Sequence, residues 1–257
     1  MPYHPLSNLI RHGLTRVLPL RCLVCYRSLR YSEICYRCRP TPHMRIERQE
    51  RCFRCFSTSP SACSLCPSFP LPCSTLQAVY HYQGIVRDLI LAMKFNPSRR
   101  LVDYCGQVMR SHLHIPPNSV VVAIPSARQS AITKLFTPSV RMAWALRDAA
   151  RGIECAPQVL RVTNPGRPRQ ATIDAPRDRL RAVHLAFAVN PRAVQGKSVV
   201  VVDDIVTTGA TVMASTKALL DAGALEVHIR ALAISPRWEE SRELLHRYFP
   251  GKHASRV

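Results

Sequence analysis

Residues 199–202 are four consecutive valines, followed at once by Asp203 and Asp204 and then by Ile-Val-Thr-Thr-Gly-Ala-Thr. Four β-branched residues in a row disfavour a helix, and a run without polar alternation suits a strand buried on both faces, as in a parallel sheet covered by helices. After Gly209 the chain reads Ala-Thr-Val-Met-Ala-Ser-Thr-Lys-Ala-Leu-Leu-Asp-Ala-Gly, with good helix formers and a glycine, Gly223, placed to end a helix. The stretch therefore predicts strand, loop, helix.

That order sets Thr207, Thr208, Gly209, Ala210 and Thr211 where the backbone N–H groups of a helix N-terminus lack partners and the helix dipole favours an anion. Two carboxylates beside such a site would repel a bare phosphate. They do suit a ligand that also carries sugar hydroxyls, because ionised carboxylates accept hydrogen bonds from a diol. A phosphorylated ribose has both features. A single aspartate here would read as a helix N-cap; two acids followed by Thr-Thr-Gly-Ala-Thr ask for more than capping. The Gly-Lys-Ser/Thr ending of a P-loop is absent.

The rest of the chain supplies companions for that strand. Expected are a short strand near Val79–His81, helices over about Ile85–Lys94 and Arg100–Leu113, and an apolar strand at Val120–Ile124. Thr137-Pro138 reads as N-cap and first helical position of a helix running to about Ala150. Short strands follow at Val159–Val162 and Glu226–Ile234, and Pro236 opens a last helix containing Trp238, Leu244 and Leu245. Strands alternating with helices predict an α/β fold with a doubly wound, mostly parallel sheet, in which ligands sit at the carboxyl ends of the strands. Asp203 and Asp204 fall at such an end.

Eight of the 11 cysteines form four C-x-x-C pairs: Cys22/Cys25, Cys35/Cys38, Cys52/Cys55 and Cys63/Cys66. The spacing lets a tight knuckle aim two thiolates at one tetrahedral metal, and Zn²⁺ takes four such ligands. Nine residues separate the first two pairs and seven the last two. Two structural zinc knuckles are expected, and the spacing leaves a crossed pairing open. The alternative, a disulfide framework, requires an oxidising compartment, and no signal-peptide pattern opens the chain. The Ser- and Pro-rich stretch Ser57–Pro72 predicts a boundary: an N-terminal helix and double-knuckle module over residues 1–73, and an α/β domain over 74–257. Cys73, Cys105 and Cys155 lack metal spacing and read as ordinary buried thiols.

The 257 residues carry a net charge of +20, which favours polyanionic partners. Residues 1–73 hold 11 Arg against 3 Glu, and there Arg37, Arg39, Arg45, Arg48, Arg51 and Arg54 interleave with Tyr36, Phe53 and Phe56. Phosphates pair with arginine and bases stack on rings, so the mixture suits single-stranded nucleic acid; a solvated basic surface is the plainer alternative. No apolar run is long enough to span a membrane. Leu6, Leu9, Ile10, Leu14, Val17 and Leu18 trace one face of a short amphipathic helix.

The stretch "VVVVDDIVTTGAT" resembles the phosphoribosyl-pyrophosphate (PRPP) signature of the type I phosphoribosyltransferases. There the acids contact the ribose 2′- and 3′-hydroxyls, the loop binds the 5′-phosphate, and PRPP comes with Mg²⁺. Paired C-x-x-C knuckles, then "YQGIVRDLILAMKF", "VVAIPSA", "PRQATIDAPRDRLRAVHLAFAV" and the PRPP stretch resemble the ComF/GntX family of competence-associated proteins over nearly the full chain. That resemblance implies a sheet of the type I phosphoribosyltransferase type carrying a small N-terminal four-cysteine zinc module. It also implies a cytoplasmic role in DNA uptake during natural transformation, with PRPP, single-stranded DNA, and a competence helicase or other DNA-uptake proteins as partners.

By the same resemblance, Ser126, Ala127 and Arg128 form the pyrophosphate loop, although the His-Arg pair usual there is missing. Gln170, Arg177 and Arg181 lie in the loop that closes over PRPP. The arginines from Arg161 to Arg181 also make a candidate phosphate-contact surface. Three functions compete: a PRPP- and DNA-binding factor, an active phosphoribosyltransferase with an unknown acceptor, and a scaffold that keeps only the fold.

Overall fold

A computed structural model describes residues 20–29, 32–47, 50–58, 63, 65–68, 71–96, 98–125, 137–147, 149–163 and 187–241. The expected N-terminal helix, the loop residues Ser126, Ala127, Arg128, Gln170, Arg177 and Arg181, and Leu244 and Leu245 lie outside them.

Nine strands are described, in chain order: β1 Leu20–Arg21, β2 Ser28–Leu29, β3 Thr75–His81, β4 Ser119–Ala123, β5 Glu154–Cys155, β6 Leu160–Val162, β7 Phe187–Val189, β8 Ser198–Val206 and β9 Glu226–Ile234. The main helices are α1 Gly84–Phe95, α2 Arg99–His112, α3 Pro138–Ala145 and α4 Ala210–Asp221. Five strands form one parallel sheet in the order β3-β9-β8-β4-β5. The valine run is its centre: Val199 to Val202 pair with Val120 to Ala123 on one side and Val227 to Arg230 on the other, and all four are fully buried.

Because a strand's side chains alternate, the four valines feed two cores. Val200 and Val202 face α1, α2 and α3 through Leu89, Met93, Leu101, Met109 and Met142, while Val199 and Val201 face the layer that holds Val212 and Leu219 of α4. Helices therefore cover both faces, as a strand without polar alternation demands. Helices α2 and α3 approach so closely that a Cβ on Gly106 would lie 2.5 Å from Ala145 Cβ. The Arg141 guanidinium also clamps Asp103 with bonds of 2.5 and 2.7 Å.

From β4 the chain moves outward to β5, and from β8 it moves the opposite way to β9. The strand order thus reverses between β4 and β8, and the crevice at their carboxyl ends is where sheets of this kind take ligands.

Several expectations are corrected. The strand foreseen at Val79–His81 begins four residues earlier, at Thr75, because the whole segment pairs with β9. Val159–Val162 does not join the main sheet. Its residues Leu160–Val162 pair antiparallel with Phe187–Val189 in a separate ribbon, and the sheet edge is the short β5 instead. Helix α3 stops at Ala145 rather than near Ala150, because the fully buried Leu146 begins a tight turn, its N–H bonding to Ala143 O, that brings the chain back to β5. Thr137 stands at its N-cap without a side-chain capping bond. Cys73 and Cys105 are buried thiols, but Cys155 is only half-buried.

The cysteine segment is fastened to the β3 edge. Arg45 bridges Tyr80 antiparallel, and Ile46 N–H donates to Val79 O, so the chain between the knuckles covers an edge that would otherwise expose its backbone. Cys22, Cys35 and Cys38 pack into the core under α1 and α2; Cys52, Cys55 and Phe56 pack into the opposite core. Trp238, in the helical turn 238–241, donates its indole N–H to Cys55 O at 2.9 Å.

Candidate functional site

Asp203 and Asp204 are the sixth and seventh residues of the nine-residue β8, at its carboxyl end and inside the strand, so neither caps a helix. The N-cap of α4 is Gly209, whose φ of 78° lies in the left-handed region that glycine adopts without a Cβ clash. No side chain caps this helix, which leaves the first N–H groups of α4 without an internal acceptor. Thr207 is exposed, Thr208 and Thr211 are half-buried, and Gly209 and Ala210 are buried beneath them. The acids, the glycine turn and the free helix end therefore lie together on one stretch of nine residues, as the sequence predicts.

The two carboxyls sit in a protein environment that disfavours charge. Burial pushes Asp203 up to about 8, helped by the neighbouring Asp204, although the Asp204 N–H bonds to its Oδ1 at 2.9 Å. Burial raises Asp204 as well, but Lys94 opposes it: its Nζ stands 3.0 Å from Asp204 Oδ1. Charge of one sign crowded into a partly dry place costs folding free energy, and such arrangements gather where ligands are bound. Lys94 had no role in the sequence reading. Its sequence signal is a cation in the last turn of an amphipathic helix, and nothing local says which acid it meets.

The cysteines form two groups, Cys22/Cys25/Cys35/Cys38 and Cys52/Cys55/Cys63/Cys66, with all Sγ atoms of each group within 4.8 Å of one another. Consecutive pairs join, and the crossed pairing is excluded. Zinc–sulfur bonds of about 2.3 Å in a tetrahedron set sulfurs about 3.8 Å apart. Here Cys25–Cys35 is 3.7 Å, Cys52–Cys66 3.8 Å and Cys55–Cys63 3.5 Å. These separations fit four ligands around one Zn²⁺, and all eleven cysteines are free of disulfides. In the first group burial raises Cys22, yet N–H donors from Cys25, Cys35 and Val24 bring it down to about 6. In the second, against the same effect of burial, Ser57 and Cys55 bring Cys63 down to about 6. Ser57 Oγ, 3.2 Å from Cys55 Sγ and 3.3 Å from Cys63 Sγ, is an outer contact that the sequence reading passed over.

A cavity of about 740 Å³ opens between Trp144, the segment Ala156–Val159 and the β6–β7 ribbon. Neither acid lines it. Among the described residues no helix is long and apolar enough to cross a membrane.

Residues 163–248, which span β7, β8, both acids, α4 and β9, match the family described as the phosphoribosyl transferase domain. No curated protein matches the chain. Solved structures similar to it include glutamine phosphoribosylpyrophosphate amidotransferase from B. subtilis, at 24% identity over 51% of this chain and 26% of that one, with a TM-score of 0.36. A purine phosphoribosyltransferase from Pyrococcus horikoshii Ot3 is 19% identical over 56% of this chain and 76% of its own, TM-score 0.28. An adenine phosphoribosyltransferase is 20% identical over 62% and 75%, TM-score 0.29. The chain spans about a quarter of the length of the amidotransferase. With its five-stranded parallel sheet and the matched segment at the sheet's centre, the chain has an α/β fold of the phosphoribosyltransferase type, bearing four-cysteine clusters at its N-terminal side.

Proposed function

We propose that this protein binds PRPP with Mg²⁺ at the carboxyl end of β8 and single-stranded DNA on its basic surfaces, acting in the cytoplasm as a ComF-like factor of DNA uptake. One observation carries the ligand reading: two adjacent acids end the central strand beside an uncapped helix N-terminus opened by a left-handed glycine. Asp203 and Asp204 take the ribose diol, and the N–H groups and hydroxyls from Thr207 to Thr211 take the 5′-phosphate. Ser126, Ala127 and Arg128 meet the pyrophosphate; Gln170, Arg177 and Arg181 close over it. The phosphoribosyl transferase match across residues 163–248 supports the placing of the ligand at Asp203, Asp204 and Thr207 to Thr211.

In this reading residues 1–73 are a zinc module and residues 74–257 the PRPP domain, with one structural Zn²⁺ in each four-cysteine group. A small repeat supports the DNA part. Cys35-Tyr36-Arg37-Cys38, the second pair of the first group, and Cys52-Phe53-Arg54-Cys55, the first pair of the second, each set an aromatic and an arginine between their two cysteines, with Tyr36 76% and Phe53 75% exposed. The Arg37 guanidinium lies 5.6 Å from the Tyr36 ring centre. Exposed rings beside arginines are the stacking platforms that single strands use. Partner proteins of DNA uptake, such as a helicase, complete the proposal.

Calorimetric titration of the zinc-loaded protein with PRPP and Mg²⁺, followed by titration of a labelled oligonucleotide, tests both parts. Saturable binding of each is expected; heat-silent, non-saturating PRPP would overturn the ligand reading. A second reading, an active phosphoribosyltransferase, is favoured by the charge-disfavouring burial of the two acids, a feature common where chemistry occurs. Pyrophosphate release from PRPP with nucleobases or DNA present would establish it.

A further inference from the structure

A cation enters the site from outside the matched segment. Lys94, next to last in α1, pairs with Asp204 across 3.0 Å; its side chain is 39% exposed and that of Asp204 15%. Two adjacent acids in a place so poor in water do not both ionise at low cost. The structure gives them different partners. Among the described residues Asp203 Oδ1 accepts the N–H of its neighbour, whereas Asp204 Oδ1 has a full ammonium. From α2 the group facing Asp204 is the Cys105 thiol, wholly buried and pushed up to about 12 by burial and by Asp204's charge, so it stays neutral. Burial raises both carboxyls, and Lys94 pulls Asp204 back towards the charged form.

We propose that Lys94 is a positioning residue that fixes Asp204 as the ionised acceptor and leaves Asp203 to carry the shared proton, so that the site offers a vicinal diol one acceptor and one donor. The inference rests on the PRPP reading above and deepens it. One ribose hydroxyl donates to Asp204 and the other accepts from Asp203. A 2′-deoxy sugar would leave one buried carboxyl unpaired, so the same pairing selects ribose over deoxyribose.

The test compares wild type, Lys94→Met and Lys94→Arg. Carboxyl ¹³C NMR titration of the free protein follows the two acids, and calorimetry follows PRPP–Mg²⁺ affinity from pH 6 to pH 8. In wild type Asp204 is expected to titrate below Asp203. Lys94→Met should move the Asp204 midpoint upward and weaken PRPP binding about tenfold at pH 6, with the loss shrinking towards pH 8; a tenfold change corresponds to about one pK unit. Lys94→Arg should restore the wild-type profile. An unmoved Asp204 midpoint, or an affinity loss equal at every pH, overturns the inference. The two readings fail separately: if wild type binds no PRPP while Lys94→Met still shifts Asp204, the ligand assignment falls and the lysine's control of that acid stands.

Discussion

Replacing Asp203 with asparagine is expected to stabilise the folded protein at neutral pH. The folded-state carboxyl is raised from 3.8 to about 8. Between those values the folded protein binds more protons at this group than the unfolded chain does, so stability falls as pH rises through that window. At pH 7 the cost is at most about 4 kcal/mol, taking about 1.4 kcal/mol per unit from 3.8 up to 7. Asp203 is only half-buried by surface area, so water offsets part of this, and asparagine should recover about 1–3 kcal/mol. For a domain of 150–250 residues that corresponds to a rise of roughly 2–12 °C in Tm. Thermal melts with saturating zinc at pH 5 and pH 8 measure it. The gain of the variant over wild type should be small at pH 5 and largest at pH 8. A variant less stable than wild type at pH 8, or a gain equal at both pH values, would refute the argument that burial holds this acid above its usual range.

Asparagine at both Asp203 and Asp204 should lower PRPP affinity by roughly one to two orders of magnitude, since it removes the ionised Asp204 acceptor and a charge-assisted hydrogen bond contributes about 1.5–3 kcal/mol, and should leave single-stranded DNA binding intact. Parallel loss of both in a folded double variant would mean that the ligands share one site. Chelation should release close to two Zn²⁺ per chain, and disabling the second group with Cys52→Ser and Cys55→Ser should lower the melting temperature of the sheet itself, because both residues lie in its core; an unchanged melt would show the second knuckle to be a detachable appendage. Tyr36→Ala with Phe53→Ala should weaken oligonucleotide binding by about 1–3 kcal/mol per lost stack with little change in salt dependence, whereas removing Arg167, Arg169, Arg177 and Arg179 should flatten the salt slope by about 0.7 per lost contact.

Much of the site was legible because its signals are local. Four valines in a row need burial on both faces, and only a central parallel strand supplies it; the acids and Gly209 follow within a few residues, so their placement at its carboxyl end comes with the strand. The C-x-x-C spacings likewise carry their chemistry within four residues each. Weaker patterns were less reliable. Val159–Val162 has a strand's composition, but composition does not name a partner, and the segment pairs outside the main sheet.

What the sequence by itself determined is therefore the set of short-range parts: a buried strand, a glycine turn into a helix, four C-x-x-C pairs and a basic chain. The tertiary structure alone decided which parts meet. Lys94 and Asp204 are 110 residues apart and touch because α1 packs across the face of β8 that carries Val200 and Val202. Consecutive cysteine pairs share a group, and the two groups join opposite cores because the chain between them runs along the β3 edge at Arg45 and Ile46. Such contacts arise from the packing of whole surfaces over long loops, and a one-dimensional pattern holds no term for that.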